Sequence, residues 1–174
     1  YQALYSNVGN YNTALGYLTL TNNTSGNHNI AIGDYVLVSN DSGDYNIAIG
    51  ANSLLANTVG NYNVAVGKGT LLANTEGDLN TAIGTNALLN NTTAIANTAL
   101  GSDSLYSNST GGENTAVGYQ ALYFNTIGFY NLALGRQALY FNTTGDGNIA
   151  LGNNTLRPLS TGEYNTALGT DAGA

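Results

Sequence analysis

The residues able to do acid–base or metal chemistry are few. His28 is the single histidine, there is no cysteine, and 10 acidic residues face 3 basic ones. Four acids, Asp44, Asp78, Asp146 and Glu163, recur at one phase of a 17-residue repeat. A glycosidase needs two carboxylates flanking the scissile bond, and nothing marks such a pair. A calcium ion needs oxygen ligands within about 2.3–2.6 Å. Asp44 and Asp78 lie two repeats apart, which in a stacked sheet is about 9.6 Å, too far to share a cation. A solvated charge column is the expectation. A nucleophilic triad needs a base beside its nucleophile. His28 instead fills a slot where Tyr is usual, and reads as a surface substitution. The Gly-Gly-x-Gly-x-Asp nonapeptide of calcium-binding β-rolls is absent. No enzyme activity, cofactor or metal is expected.

The element that must position these side chains is the repeat itself. Ala-aliphatic-Gly recurs with its Gly at 16, 33, 50, 67, 84, 101, 118, 135, 152 and 169, every interval being 17. Counted from that Gly, position four is Leu in all ten coils, from Leu4 to Leu156. Position seven is Asn except at Leu159, position ten Gly except at Ala94, position thirteen always Asn, and position fifteen always Ala. Gly and Asn-Thr at this density disfavour helices and favour turns. The pattern predicts an all-β chain: a parallel β-solenoid (β-roll) of ten 17-residue coils with two strands per coil. One strand is Ala-Leu-Tyr-like, as at Ala121-Leu122-Tyr123, and the other runs from Asn165 to Leu168. Ten rungs make a rod roughly 48 Å long.

Side chains alternate along a strand. Leu at position four and the aliphatic residue at sixteen are expected to meet in a narrow core, with fourteen on the same side and Ala and Asn outward. The inverse, with Ala inward, is the alternative. The Thr93-Ala94-Ile95-Ala96 coil lacks its turn Gly, yet the count of 17 holds, so the stack should continue through a rebuilt turn. Pro158 should distort its own turn, because proline fixes φ and cannot donate to a ladder.

Only 7% of the 174 residues are charged, and the net charge is −7. Phosphate backbones are bound by clustered Lys and Arg, so nucleic acid and anionic membrane surfaces are excluded as main partners. No apolar run approaches the roughly 20 residues of a membrane span, and no membrane insertion is expected. The hydrophobic content of 43% suffices for a core. Residues 1–174 read as one solenoid domain. The chain opens and closes inside a repeat, which points to a segment of a longer fibre.

The Asn column at position thirteen is read as a ladder of side-chain amides that also caps turn backbone. Tyr recurs at position twelve (Tyr11, Tyr45, Tyr62, Tyr130, Tyr164) and position five (Tyr5, Tyr106, Tyr123, Tyr140). Such rings can take sugars, but stacking between coils accounts for them. Asn-x-Ser/Thr sequons occur at Asn22, Asn23, Asn40, Asn90, Asn91, Asn108, Asn142 and Asn153. Asn23, Asn40, Asn91, Asn108 and Asn142 are the candidate glycosylation sites, since the motif fits surface turns.

The strings from Asn114, "NTAVGYQALYFNTIG", and from Asn131, "NLALGRQALYFNTTG", carry a resemblance that spans the chain. They are similar to repeats of tail-fibre-type surface proteins and, through Asn-Thr-Ala-Leu-Gly, resemble the Asn-Ser-Val-Ala-Ile-Gly repeats of trimeric autotransporter adhesin heads. The resemblance implies a parallel β-roll, often trimeric, displayed on a cell or virion surface, and brings no catalytic residues. Coils of 17 are longer than those of adhesin heads, so trimerisation and handedness do not carry over directly.

The expected function is a structural and adhesive segment of an extracellular fibre or filament, on a cell surface, secreted or on a virion. Its partner is itself, as a homotrimer or filament, with a cell-surface or glycan receptor as a further partner. An ice-binding solenoid and a carbohydrate-binding or carbohydrate-active solenoid are the rivals. Ice binding needs a regular Thr array, and position fourteen has Thr in five of ten coils. The self-association stripe is position five: Val38, Leu55, Leu72, Leu89, Tyr106, Tyr123 and Tyr140. It follows the buried Leu and so points outward, and small residues at position three should let a partner approach closely.

Overall fold

A computed structural model describes residues 2–173. Ten three-residue strands recur at 17-residue intervals, from β1 (Thr13–Leu15) and β2 (Ile30–Ile32) to β9 (Ile149–Leu151) and β10 (Thr166–Leu168). They form one parallel sheet in sequential order. Register is kept from end to end: Ala14 pairs with Ala31, Ala31 with Ala48, and Ala150 with Ala167. The chain is a β-solenoid with one repeat per turn.

Each coil contains one strand, not the expected two. The Ala-Leu-Tyr segment is a ladder of turns. Positions two and four adopt the left-handed conformation, as at Asn52 (φ 60°), Leu54 (φ 49°) and Leu71 (φ 49°). Left-handed φ costs an L-residue roughly 1–2 kcal/mol, and alternating it with ordinary φ destroys the extended pleat. The segment still pairs with its neighbours, because Leu54 N–H donates to Thr70 O (3.0 Å) and Ala56 N–H to Leu72 O (3.1 Å). Leu accepts the strained φ because its side chain fills the core, where Leu20 to Leu139 are fully buried at position four.

The expected facing of the strand is reversed. Ala at position fifteen is fully buried from Ala31 to Ala150, as are the Asn residues at thirteen from Asn29 to Asn97. Positions fourteen and sixteen lie outside, where Leu100 is 45% exposed and Ile83 38%. Asn decides this. Asn46 Nδ2 donates to Gly60 O (2.8 Å), and its Oδ1 accepts from Asn63 N–H (3.0 Å). Buried peptide groups need such partners, so Asn must point inward. The two-residue period then takes Ala inward and the aliphatics outward. Position three is inside as well: Ser53, Thr70, Ala87 and Ala121 are fully buried, so it cannot admit a partner.

Glycine is required where coils touch. A Cβ on Gly50 (φ 121°) would lie 2.6 Å from Gly67 O, and one on Gly43 would lie 2.5 Å from both Gly60 O and Asn40 Oδ1. The Ala94 coil nevertheless keeps its place. Its strand, Thr98–Leu100, pairs on both sides, and Ala94 O accepts from Asn80 (2.8 Å) and Asn91 (3.2 Å). The Pro158 coil is not distorted as expected. Leu159 N–H still reaches Leu156 O (3.1 Å), Thr143 N–H reaches Ser160 O (2.7 Å), and β9 and β10 stay in register. At position six the N–H faces the following coil, as Phe124 does towards Tyr140 O (3.1 Å). Proline there leaves its own turn intact, and the residue its nitrogen would face, Ala174, lies outside the described residues.

Candidate interaction surface

The chemistry-bearing side chains are absorbed by the rod. Asp44, Asp78 and Asp146 are half-buried caps, not a solvated column. Asn27 N–H donates to Asp44 Oδ1 (2.6 Å), Asn61 N–H to Asp78 Oδ1 (2.6 Å) and Phe129 N–H to Asp146 Oδ1 (2.7 Å). These bonds are charge-assisted and close turn donors that have no other partner along the stack. Glu163 is exposed. Among the described residues, no group of three or more His, Cys, Asp or Glu is placed to hold a metal.

The aromatic columns stack. His28 lies between Tyr11 and Tyr45, with centroids 4.7 Å from each, and Tyr62 continues the column at 5.1 Å. On the other side of the coil, Tyr106, Tyr123 and Tyr140 stack at 5.0 and 5.3 Å, and Phe124 on Phe141 at 5.7 Å. The ring faces are thus occupied by one another. Burial raises the Tyr123 phenol above the usual tyrosine range, and Tyr106, Asp103, Tyr140 and Tyr119 add to the effect.

The sequon asparagines are interior. Asn23, Asn40, Asn91, Asn108 and Asn142 are fully buried, and each Nδ2 is committed, as in Asn40 to Asn23 Oδ1 (2.7 Å) and to Gly43 O (3.0 Å). A glycan on that nitrogen is incompatible with the folded rod, contrary to the surface-turn expectation for these five sites. The reason is that position seven, although in a turn, supplies the amide that satisfies it. Asn22 and Asn153 are the exposed sequons.

Two outer faces remain. The stripe of Val38, Leu55, Leu72, Leu89, Tyr106, Tyr123 and Tyr140 does lie outside, but each residue is half-buried against its neighbours. The strand face is the more open of the two. Its columns are positions fourteen and sixteen, and Leu15, Ile30, Ile49, Ile83, Leu100, Leu134 and Leu168 are all exposed. The strands are in register, so position sixteen forms a flat aliphatic column beside a mixed column of Thr and aliphatic residues at fourteen. Sequence reasoning missed it by placing the aliphatics in the core. The available signal was the repeat's own variability: positions thirteen and fifteen never change, whereas fourteen alternates among Thr, Ile, Val and Leu.

No family model, curated protein or solved structure matches this chain.

Proposed function

We propose that this chain is a self-associating, non-catalytic rod, a structural and adhesive segment of an extracellular fibre whose copies meet through the strand face. The observation that carries this reading is the uncovered aliphatic sheet. Ten rungs at about 4.8 Å, three residues wide, present roughly 450 Å², with aliphatic side chains at fifteen of the twenty outward positions and Thr at the other five. That lies within the range of the largest apolar patch on a typical monomer, about 300–600 Å² and often functional. Two such faces cover about 900 Å², near the lower bound of about 1,000 Å² for a specific interface before flanking coils contribute. Charge does not oppose the approach, since no residue of either column is ionisable.

The partner is another copy, in a trimer or a laterally joined filament, as symmetric homo-oligomers are the commonest assemblies. The extracellular setting is supported by the resemblance of the repeats to fibre and adhesin segments. An ice-binding role has less support, because the most regular hydroxyl column is engaged along the rod. Thr58, Thr75 and Thr126 each donate to the position-eight carbonyl of the next coil at 3.0–3.2 Å. The test is the mass of the chain in solution by light scattering. A discrete oligomer or a growing filament is expected, and a monodisperse monomer at all concentrations contradicts the proposal.

A further inference from the structure

The strand face carries an internal symmetry. Read from β2 to β9, position fourteen runs Ile-Ile-Val-Thr-Thr-Thr-Leu-Ile, and position sixteen runs Ile-Ile-Val-Ile-Leu-Val-Leu-Leu. Both strings keep their size and polarity when reversed. Thr81 has Thr98 as its counterpart, Val66 has Val117, and Ile49 has Leu134. The one mixed pair, Val64 with Thr115, is β-branched on both sides and exchanges a methyl for a hydroxyl. The centre of reversal lies between the strands Thr81–Ile83 and Thr98–Leu100. It is set by the residues on either side of it and by the constant register of the rungs.

A closed pair made by one face has a two-fold axis in the plane of contact, so that where residue i meets j, j also meets i. A sheet offers two such axes. One runs along the rod. It sets the copies parallel and turns position fourteen onto position sixteen of the same rung. The outward hydroxyls of Thr81, Thr98 and Thr115 would then be covered by Ile83, Leu100 and Val117, and a covered hydroxyl without a partner is costly. The other axis runs along the strands. It sets the copies antiparallel and turns each column onto itself. Thr then faces Thr, where one hydroxyl can donate and the other accept, and aliphatic faces aliphatic.

From this we infer that two copies pair antiparallel, strand face on strand face, with Thr81 against Thr98 of the second copy and Val66 against its Val117. The inference rests on the proposed association through this face and gives it a direction. It narrows the assembly to antiparallel pairs or filaments built from them, since the copies of a trimer all run one way.

Distances between spin labels test the direction without touching the contact. Ser25 and Thr93 are exposed turn residues off the strand face, and the chain has no cysteine of its own. Ser25→Cys and Thr93→Cys therefore each place one label per chain. Ser25 lies in the coil of β2 and Thr93 in that of Thr98–Leu100. In the antiparallel pair the two Thr93 labels are one rung apart along the rod, about 4.8 Å, and the two Ser25 labels seven rungs, about 34 Å. The lateral separation is common to both, so pulsed dipolar spectroscopy should read the Ser25 distance as the longer by about 10 Å or more. Equal distances at the two sites, as parallel copies or a trimer give, overturn the inference and leave association through the face standing. A wild-type chain that is monomeric by light scattering, with no dipolar coupling in either variant, overturns both.

Discussion

Asn142 and Leu159 hold the same position in adjacent coils, and the polar ladder that climbs the rod stops between them. Below that point each position-seven Asn passes a hydrogen bond to its neighbour, as Asn142 Nδ2 does to Asn125 Oδ1 at 2.8 Å. Asn142 Oδ1 has no donor above it and is buried without a partner.

An unsatisfied buried acceptor costs about 1–3 kcal/mol. Leu159→Asn should restore the donor while giving up the partial burial of Leu159. A net gain of about 1 kcal/mol is expected, read as a higher urea midpoint with an unchanged m-value. A lower midpoint would mean that leucine's packing outweighs the ladder here.

The complementary change is made in mid-ladder. Asn74 donates to Asn57 Oδ1 (2.8 Å) and Gly77 O (3.0 Å), and accepts from Asn91 Nδ2 (2.8 Å). Asn74→Leu removes the Asn57 donor and the Asn91 acceptor together and should destabilise by about 2–5 kcal/mol. Equilibrium unfolding measures it, and a loss below ~1 kcal/mol would show that water replaces the ladder.

Core facing is tested by a pair of substitutions. Ala82 is fully buried and its neighbour Ile83 is exposed. Ala82→Leu should overpack and destabilise by about 1–3 kcal/mol or more, whereas Ile83→Ala should leave the fold of an isolated rod within ~0.5 kcal/mol. Leu88→Ala should cost about 2–5 kcal/mol. A tolerated Ala82→Leu would restore the opposite facing.

That facing marks where the sequence was legible. The solenoid, its period and the continuity through Ala94 follow from counting, because stacked coils cannot change length without breaking register. The buried Leu column and the stacking of Tyr106 on Tyr123 follow from position alone. The facing of Asn46 and Ala48 did not, since hydrophobicity argued for Ile47 and Ile49 inside. What decides it is the need of Gly60 O and the Asn63 N–H for partners in the core, a bond between coils that no local pattern displays. The left-handed φ of Leu54 was hidden for the same reason: only the packed interior compensates its strain.

Alkaline pH supplies a further test. Tyr123 has its phenol raised above the ordinary value of about 10, chiefly by burial and next by Tyr106 and Asp103. The folded state therefore holds this proton more tightly than the unfolded chain. Its contribution is fully present below the unfolded pKa and lost as pH rises through the folded one. Thermal midpoints should fall above pH ~10, and Tyr123→Phe should flatten part of that fall. An identical decline in the variant would exclude Tyr123 as a contributor.

The proposed association through the strand face is tested by comparing two double variants, each measured by sedimentation velocity beside the wild type. Ile49→Lys with Ile83→Lys places charge on the strand face, and Leu72→Lys with Leu89→Lys places it on the opposite stripe. The strand-face variant should sediment as a folded monomer while the stripe variant keeps the wild-type assembly. A strand-face variant that retains the wild-type assembly, or a wild type that is already monomeric, would contradict that association.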